Sequence, residues 1–215
     1  MTRYVMVADL RRCVGCQTCT AACKEGNGTP PGVQWRRVLD LEAGTYPDVS
    51  RVFVPVGCQH CANPPCLEVC PSTATKQRAD GIITIDEDLC IGCSYCLMAC
   101  PYDARSLSDQ RRYAFGDTPT EAEAARTRTV GVASKCTFCA GRVDAGTARG
   151  LVAGQDPEAT PLCVNACISG ALRFGDIEDQ SGPIATLLAE NRWFRLHERE
   201  GTEPGFYYIW DKGTL

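Results

Sequence analysis

The stretch Cys90-Ile91-Gly92-Cys93-Ser94-Tyr95-Cys96-Leu97-Met98-Ala99-Cys100-Pro101 decides the reading of this chain, because variants of it occur three more times. Three cysteines spaced two residues apart can wrap their thiolates around one inorganic iron–sulfur cube. Gly92 and Ser94, small and turn-prone, leave backbone N–H groups able to reach the sulfurs. Cys96 and Cys100 stand four apart, so on a short helix they share a face, yet they sit too far along it to close on one cube. In a Cys-x2-Cys-x2-Cys-x3-Cys-Pro run the fourth cysteine ligates the other cluster of a two-cluster unit, and the proline ends the helical turn. One motif therefore implies a partner motif.

Upstream lies Cys58-x2-Cys61-x4-Cys66-x3-Cys70-Pro71, in which Asn63-Pro64-Pro65 lengthen and stiffen the middle gap. Asp80-Gly81 is a two-residue hairpin turn between strands expected at 73–78 and 82–85. The first motif, Cys13-x2-Cys16-x2-Cys19-x3-Cys23, has the spacing of Cys90–Cys100 but carries Lys24 in place of proline. A fourth begins at Lys135-Cys136-x2-Cys139 and is completed by Cys163-x3-Cys167 after residues 140–162, an insertion too long to be a mere link. The spacing also predicts a strand at 4–9 and another at 171–174. An inserted hairpin is expected within 26–57, from strands at 35–41 and 51–56. In the polar stretch 109–134 a short helix is expected at 120–126.

These elements predict an α+β fold of two pseudo-symmetric ferredoxin-like halves, each binding two [4Fe–4S] clusters, with inserted loops and a C-terminal tail. Motifs two and three are adjacent and intact and form the half at 58–110. Motifs one and four are left to form the other, residues 1–57 with 130–180. Crossed ligation then gives four sets: Cys13, Cys16, Cys19 with Cys167; Cys136, Cys139, Cys163 with Cys23; Cys58, Cys61, Cys66 with Cys100; and Cys90, Cys93, Cys96 with Cys70.

Sixteen cysteines and 20 glycines in 215 residues leave less aliphatic core than such a length usually holds, a deficit that inorganic clusters would fill. The formal charge is −4, and four Cys-ligated cubes at about −2 each would take it to about −12. That balance disfavours nucleic acid and anionic lipid as partners and favours proteins. No 18-residue apolar run occurs, and Met1 to Met6 lead straight into the first motif, so neither a membrane span nor an export signal is expected. Disulfides are disfavoured because thiols two residues apart would mispair. Structural zinc is the stronger rival, since Cys-x2-Cys pairs also form zinc knuckles, but it needs neither the third cysteine nor the Cys-x3-Cys-Pro ending. No Cys-x2-Cys-His, Gly-x-Gly-x-x-Gly or Gly-x-Ser-x-Gly run appears, so no haem, nucleotide or hydrolase site, and no active site of the chain's own, is expected.

His60 lies between ligands, but motif two already supplies four thiolates, so a structural or sulfur-bonding role is expected. Lys76, Lys135 and Arg142 flank ligands and are candidates for raising reduction potentials. The tail, 181–215, opens on a helix signal at Pro183 with Ile184, Leu187 and Leu188. It ends in an aromatic cluster of Trp193, Phe194, Phe206, Tyr207, Tyr208 and Trp210. Docking on a partner and packing on the chain itself are both open for these rings, and the segment is assigned as a docking tail.

Together the runs Cys13-Val14-Gly15-Cys16, Cys58-Gln59-His60-Cys61-Ala62-Asn63-Pro64-Pro65-Cys66, Cys90-Ile91-Gly92-Cys93 and Lys135-Cys136-Thr137-Phe138-Cys139, with Leu172-Arg173-Phe174-Gly175-Asp176, cover nearly the whole chain. They resemble the four-cluster electron-transfer subunit of the dimethyl sulfoxide reductase and polysulfide reductase group of molybdopterin oxidoreductases. The resemblance implies a relay of single electrons between a molybdopterin-containing catalytic subunit and a quinone-reactive integral membrane subunit. It implies a peripheral place at the bacterial or archaeal cytoplasmic membrane, held there through those partners, either on the cytoplasmic face or in the periplasm by co-export with the catalytic subunit. Motif one would face the catalytic subunit and motif three the membrane anchor. Nitrate reductase relatives carry tryptophan at the place of Cys93 and a three-iron cluster; cysteine here implies a four-iron one. A free soluble polyferredoxin is the rival within iron–sulfur proteins. The motifs do not select a substrate.

Overall fold

The computed structural model describes residues 1–107, 113, 118–127 and 129–210. At its centre is β1 (Tyr4–Asp9), whose Val5, Met6, Val7 and Ala8 are fully buried. It pairs antiparallel with β8 (Leu172–Asp176) and parallel with β10 (Phe206–Ile209), and β9 (Trp193–Phe194) adds to the far side of β10. Side chains alternate across this sheet. Met6, Ala8, Phe206 and Tyr208 face a core that contains Cys19, Cys23, Cys58, Cys136 and Cys163. Val5, Val7, Tyr207 and Ile209 face Ile184 and Leu188 of α7 (Pro183–Glu190). A sheet covered on both faces explains the unbroken apolar run of β10.

Of the two readings left open for the tail rings, packing on the chain itself is the one Phe206 to Ile209 serve, since they form an interior strand of the sheet. The segment before them hydrogen-bonds motif two, with Ala62 N–H donating to Glu203 O at 2.9 Å and Asn63 N–H to Thr202 O at 3.1 Å. Of the six aromatic residues of the tail, Trp193 and Phe194, on the sheet edge, stay 43% and 37% exposed.

The inserted hairpin is present and longer than expected. β2 (Arg36–Thr45) and β3 (Asp48–Gly57) pair without interruption up to Thr45↔Asp48. The hairpin at Asp80-Gly81 joins β4 (Thr75–Gln77) to β5 (Ile83–Ile85), but through residues 79–81 rather than the expected two-residue turn: Arg78 N–H donates to Ile82 O at 2.9 Å, Gly81 N–H donates to Arg78 O at 3.1 Å, and of the dipeptide Gly81 alone is left-handed, at φ +82°. β6 (Ser106–Leu107) pairs with β7 (Ala133–Ser134). Four helices carry or precede the last cysteine of each motif: α1 (Thr18–Gly26), α2 (Pro65–Glu68), α3 (Tyr95–Met98) and α6 (Leu162–Asn165). Of these, α1 packs on α6 and α2 on α3. Lacking a proline, α1 runs past Cys23, and Lys24 Nζ donates to the carbonyls of Thr29 at 3.0 Å and Pro30 at 2.8 Å, fastening the start of the insertion. The expected surface helix is α4 (Pro119–Thr127), while residues 108–112, 114–117, 128 and 211–215 lie outside the described ones. Helix α5 (Ala140–Thr147) and a turn of 3-10 helix at Pro157–Ala159 occupy the interruption of motif four. Among the described residues no helix is long and apolar enough to cross a membrane.

Candidate iron–sulfur sites

In motifs one and three the loop between the first cysteines alternates in and out of the left-handed region. Gly15 has φ +68° and Gln17 +61°; Gly92 has +68° and Ser94 +65°. Such alternation turns successive N–H groups to one side, a concavity suited to anions. A Cβ at Gly92 would strike the carbonyl oxygen of Gly131, so the residue is required for both its φ and its space. Sulfur acceptors are already engaged by backbone donors: Phe138 N–H to Cys136 Sγ and Ala133 N–H to Cys90 Sγ, both at 3.4 Å. Motifs two and four repeat one detail, Thr75 N–H to Cys70 Sγ at 3.5 Å and Leu172 N–H to Cys167 Sγ at 3.4 Å. Ser72 and Ser169 hydroxyls lie beside those sulfurs at 3.8 and 3.7 Å.

All sixteen cysteines are free thiols. Burial pushes the Cys23 thiol up, and its acting neighbours are Cys136, Cys163 and Cys139 rather than the thiols of its own motif. Burial likewise raises Cys13 and Cys19, each with Cys167 beside it. Cys61 is pushed up to about 12 by burial next to Cys58, Cys66 and Cys100. Cys70, Cys90, Cys93 and Cys96 line one cavity. In each case the last cysteine of one motif stands among the first three of another. Two links join the groups: Cys19 lies near Cys163, and Cys58 near Cys136. Among the described residues no three His, Cys, Asp or Glu side chains converge on a point for one metal ion.

Of the cations singled out from sequence, Lys76 is an exposed partner of Asp86, and Arg142 donates to the carbonyls of Thr160 and Pro157. Lys135 alone is buried, 2% exposed, and its Nζ donates to the carbonyls of Ile83 and Cys136. Burial depresses its pKa, and the nearby Cys58 thiol works the other way. Two buried arginines escaped sequence reasoning, Arg36 on β2 at 1% exposed and Arg105 at 5%. Arg105 Nη2 donates to Cys66 Sγ at 3.0 Å and Nη1 to Thr75 Oγ1 at 3.1 Å. Burial opposes the charge of Arg36, but the thiols of Cys163, Cys136 and Cys23 outweigh it and raise its pKa. No local signal marks either residue, since both are brought in by long-range packing. His60 takes the structural role: Nδ1 accepts the Ile83 N–H at 3.0 Å, the ring stacks on Phe138 at 3.7 Å, and burial keeps it neutral.

Grouped thiols with inward N–H donors and buried cations define a protein of the 4Fe–4S dicluster class. Two family models described as 4Fe-4S dicluster domains match residues 49–116 and 89–171. One subunit of the selenate reductase of Mesobacillus selenatarsenatis is 40% identical over 96% of this chain and 72% of its own length. A putative dimethyl sulfoxide reductase iron-sulfur subunit of Halobacterium salinarum is 40% identical over 97% and 79%. One subunit of the tetrathionate reductase of Salmonella typhimurium is 39% identical over 96% and 72%. The chain belongs to the iron–sulfur electron-transfer subunits of the dimethyl sulfoxide reductase and polysulfide reductase family of molybdopterin oxidoreductases. Its role is electron relay, carried on 4Fe–4S clusters.

Proposed function

We propose that the chain holds four [4Fe–4S] clusters in two pseudo-symmetric halves, in the crossed sets Cys13/16/19/167, Cys136/139/163/23, Cys58/61/66/100 and Cys90/93/96/70. The observation that carries this reading is the company of Cys23, whose neighbouring thiols are those of motif four. The packing of α1 on α6 and of α2 on α3 supports the same pairing of motifs. Such a cluster, when bound, takes up and gives back one electron. The protein's part is to hold the thiolates, exclude water and keep neighbouring sets close. The contacts Cys19 with Cys163 and Cys58 with Cys136 support the order motif one, four, two, three, or its reverse. Arg105, near both Cys66 and Cys96, bridges the last step.

The partners are a molybdopterin-containing catalytic subunit at the motif-one end and a quinone-reactive membrane subunit at the motif-three end. Cys16 and Cys93, the two exposed cysteines, belong to the two terminal sets. Each is flanked by exposed apolar side chains, Val14 at one end and Ile91, Tyr95 and Met98 at the other. Apolar ends favour a docked subunit over a free polyferredoxin. The chain would sit peripherally at the membrane through these partners. Oxyanion or sulfoxide reduction, as the relatives' names indicate, is the class of reaction served.

Anaerobically purified protein is expected to contain about sixteen irons per chain and negligible zinc. Stoichiometric zinc without charge-transfer absorption would overturn the reading. Gly92→Ala should remove the cluster of the Cys90 set, lowering iron by about a quarter while leaving the other three signals. Unchanged iron in that variant would contradict the tight turn described above.

A further inference from the structure

The buried arginines face thiols, not carboxylates. Among the described residues neither Arg36 nor Arg105 has an acidic side chain within ion-pair distance, although taking an ion out of water without compensation costs several kcal/mol. Arg36 is the more exacting case. Its Nη2 donates to the thioether of Met6 at 3.0 Å, its Cζ lies 5.0 Å from the centre of the Phe206 ring, Nε and Nη1 lack a well-aligned acceptor, and the Cys163 thiol lies against the guanidinium. A guanidinium offers five donors, and unsatisfied buried donors are destabilising. What surrounds those donors is sulfur: Cys163, Cys136 and Cys23 of one set, with Cys19 of the neighbouring set also close. Arg105 stands in the same relation to Cys66 and Cys58 on one side and Cys96 on the other.

We infer that Arg36 and Arg105 are fixed counter-charges of the relay, at the first and last junctions between successive clusters, and that each raises the reduction potentials of the two clusters flanking it. This rests on the crossed ligation proposed above. A four-thiolate cube carries about −2 oxidised and about −3 reduced, and the electron that one loses its neighbour gains, with no bond or proton exchanged. A cation between two such centres stabilises the electron on either of them, so the step between them stays shallow. It also screens the repulsion when both are reduced. Arginine suits the post because it keeps its charge at every physiological pH, and its planar fork can donate to several sulfurs at once. The inserted hairpin, which carries Arg36 on β2, thereby supplies a charge to the relay as well as bulk.

The test uses the full chain loaded with its clusters, titrated potentiometrically with EPR readout. Arg36→Met should lower the reduced-to-oxidised ratio of the Cys13 and Cys136 sets at least tenfold at fixed potential, about 59 mV for one electron. The Cys90 set should be spared, and Arg36→Lys should shift less. Arg105→Met should shift the Cys58 and Cys90 sets and spare the Cys13 set. An equal shift of all four clusters, or none, overturns the inference. Loss of a cluster in Arg36→Met but not in Arg36→Lys supports it. Loss in both assigns Arg36 to packing and overturns it. Fewer than four centres in the unaltered protein would instead overturn the four-cluster reading, so the two failures are told apart.

Discussion

A chain ending at Glu190 should fail to hold its clusters and should be recovered unfolded or aggregated. The cut removes β10, an interior strand between β1 and β9. Phe206, Tyr208 and Ile209 are fully buried and Tyr207 nearly so. At about 1.5–3 kcal/mol for each large side chain buried, four such residues represent about 6–12 kcal/mol. That is comparable to the whole stability of an ordinary domain, about 5–15 kcal/mol. The loss falls on the cluster region as well. The Phe206 ring covers Arg36, Tyr208 Oη donates to Pro55 O at 3.0 Å, and the strap ahead of β10 hydrogen-bonds Ala62 and Asn63 of motif two. Visible absorption and iron content of the truncated chain are the measurement. A soluble product with unchanged spectra would mean that the tail is an appendage after all.

Features encoded over a few neighbouring residues were legible in the sequence. The cysteine spacings are dictated by the cofactor's own dimensions, so they read directly as chemistry. Asp80-Gly81 marks the hairpin, though not the length of its loop, and Pro183 followed by spaced aliphatics specifies α7, because both are local backbone preferences. What escaped is what depends on distant partners. Nothing near Phe206 announces that it will lie opposite Met6, two hundred residues earlier, and its apolar run reads equally as a sticky surface or a buried strand. Arg36 and Arg105 look like ordinary surface charges until the fold brings sulfur around them. Lys135 stands out for its place beside Cys136, and Lys76 for its place near a ligand. Sequence adjacency could not separate the buried cation from the solvated one.

Cys23→Ala should damage the same cluster as Cys136→Ala, even though Cys23 belongs to the first motif. The side chain of Cys23 is buried on α1, the helix that packs on α6, and α6 contains Cys163. Its neighbouring thiols are Cys136, Cys163 and Cys139, whereas Cys13 and Cys19 have Cys167 as theirs. Asn27 Nδ2 further fixes the site, donating to Cys23 O at 2.8 Å and approaching Cys23 Sγ at 3.6 Å. A missing thiolate leaves its cube with three protein ligands, so both variants should lose the same one-electron EPR signal and up to about four irons. Cys167→Ala should group with Cys13→Ala by the same logic, giving two pairs of matching spectra. Should Cys23→Ala reproduce the loss of Cys13→Ala and spare the signal lost in Cys136→Ala, ligation would run within motifs. The crossed sets, and the electron order built on them, would then fall together.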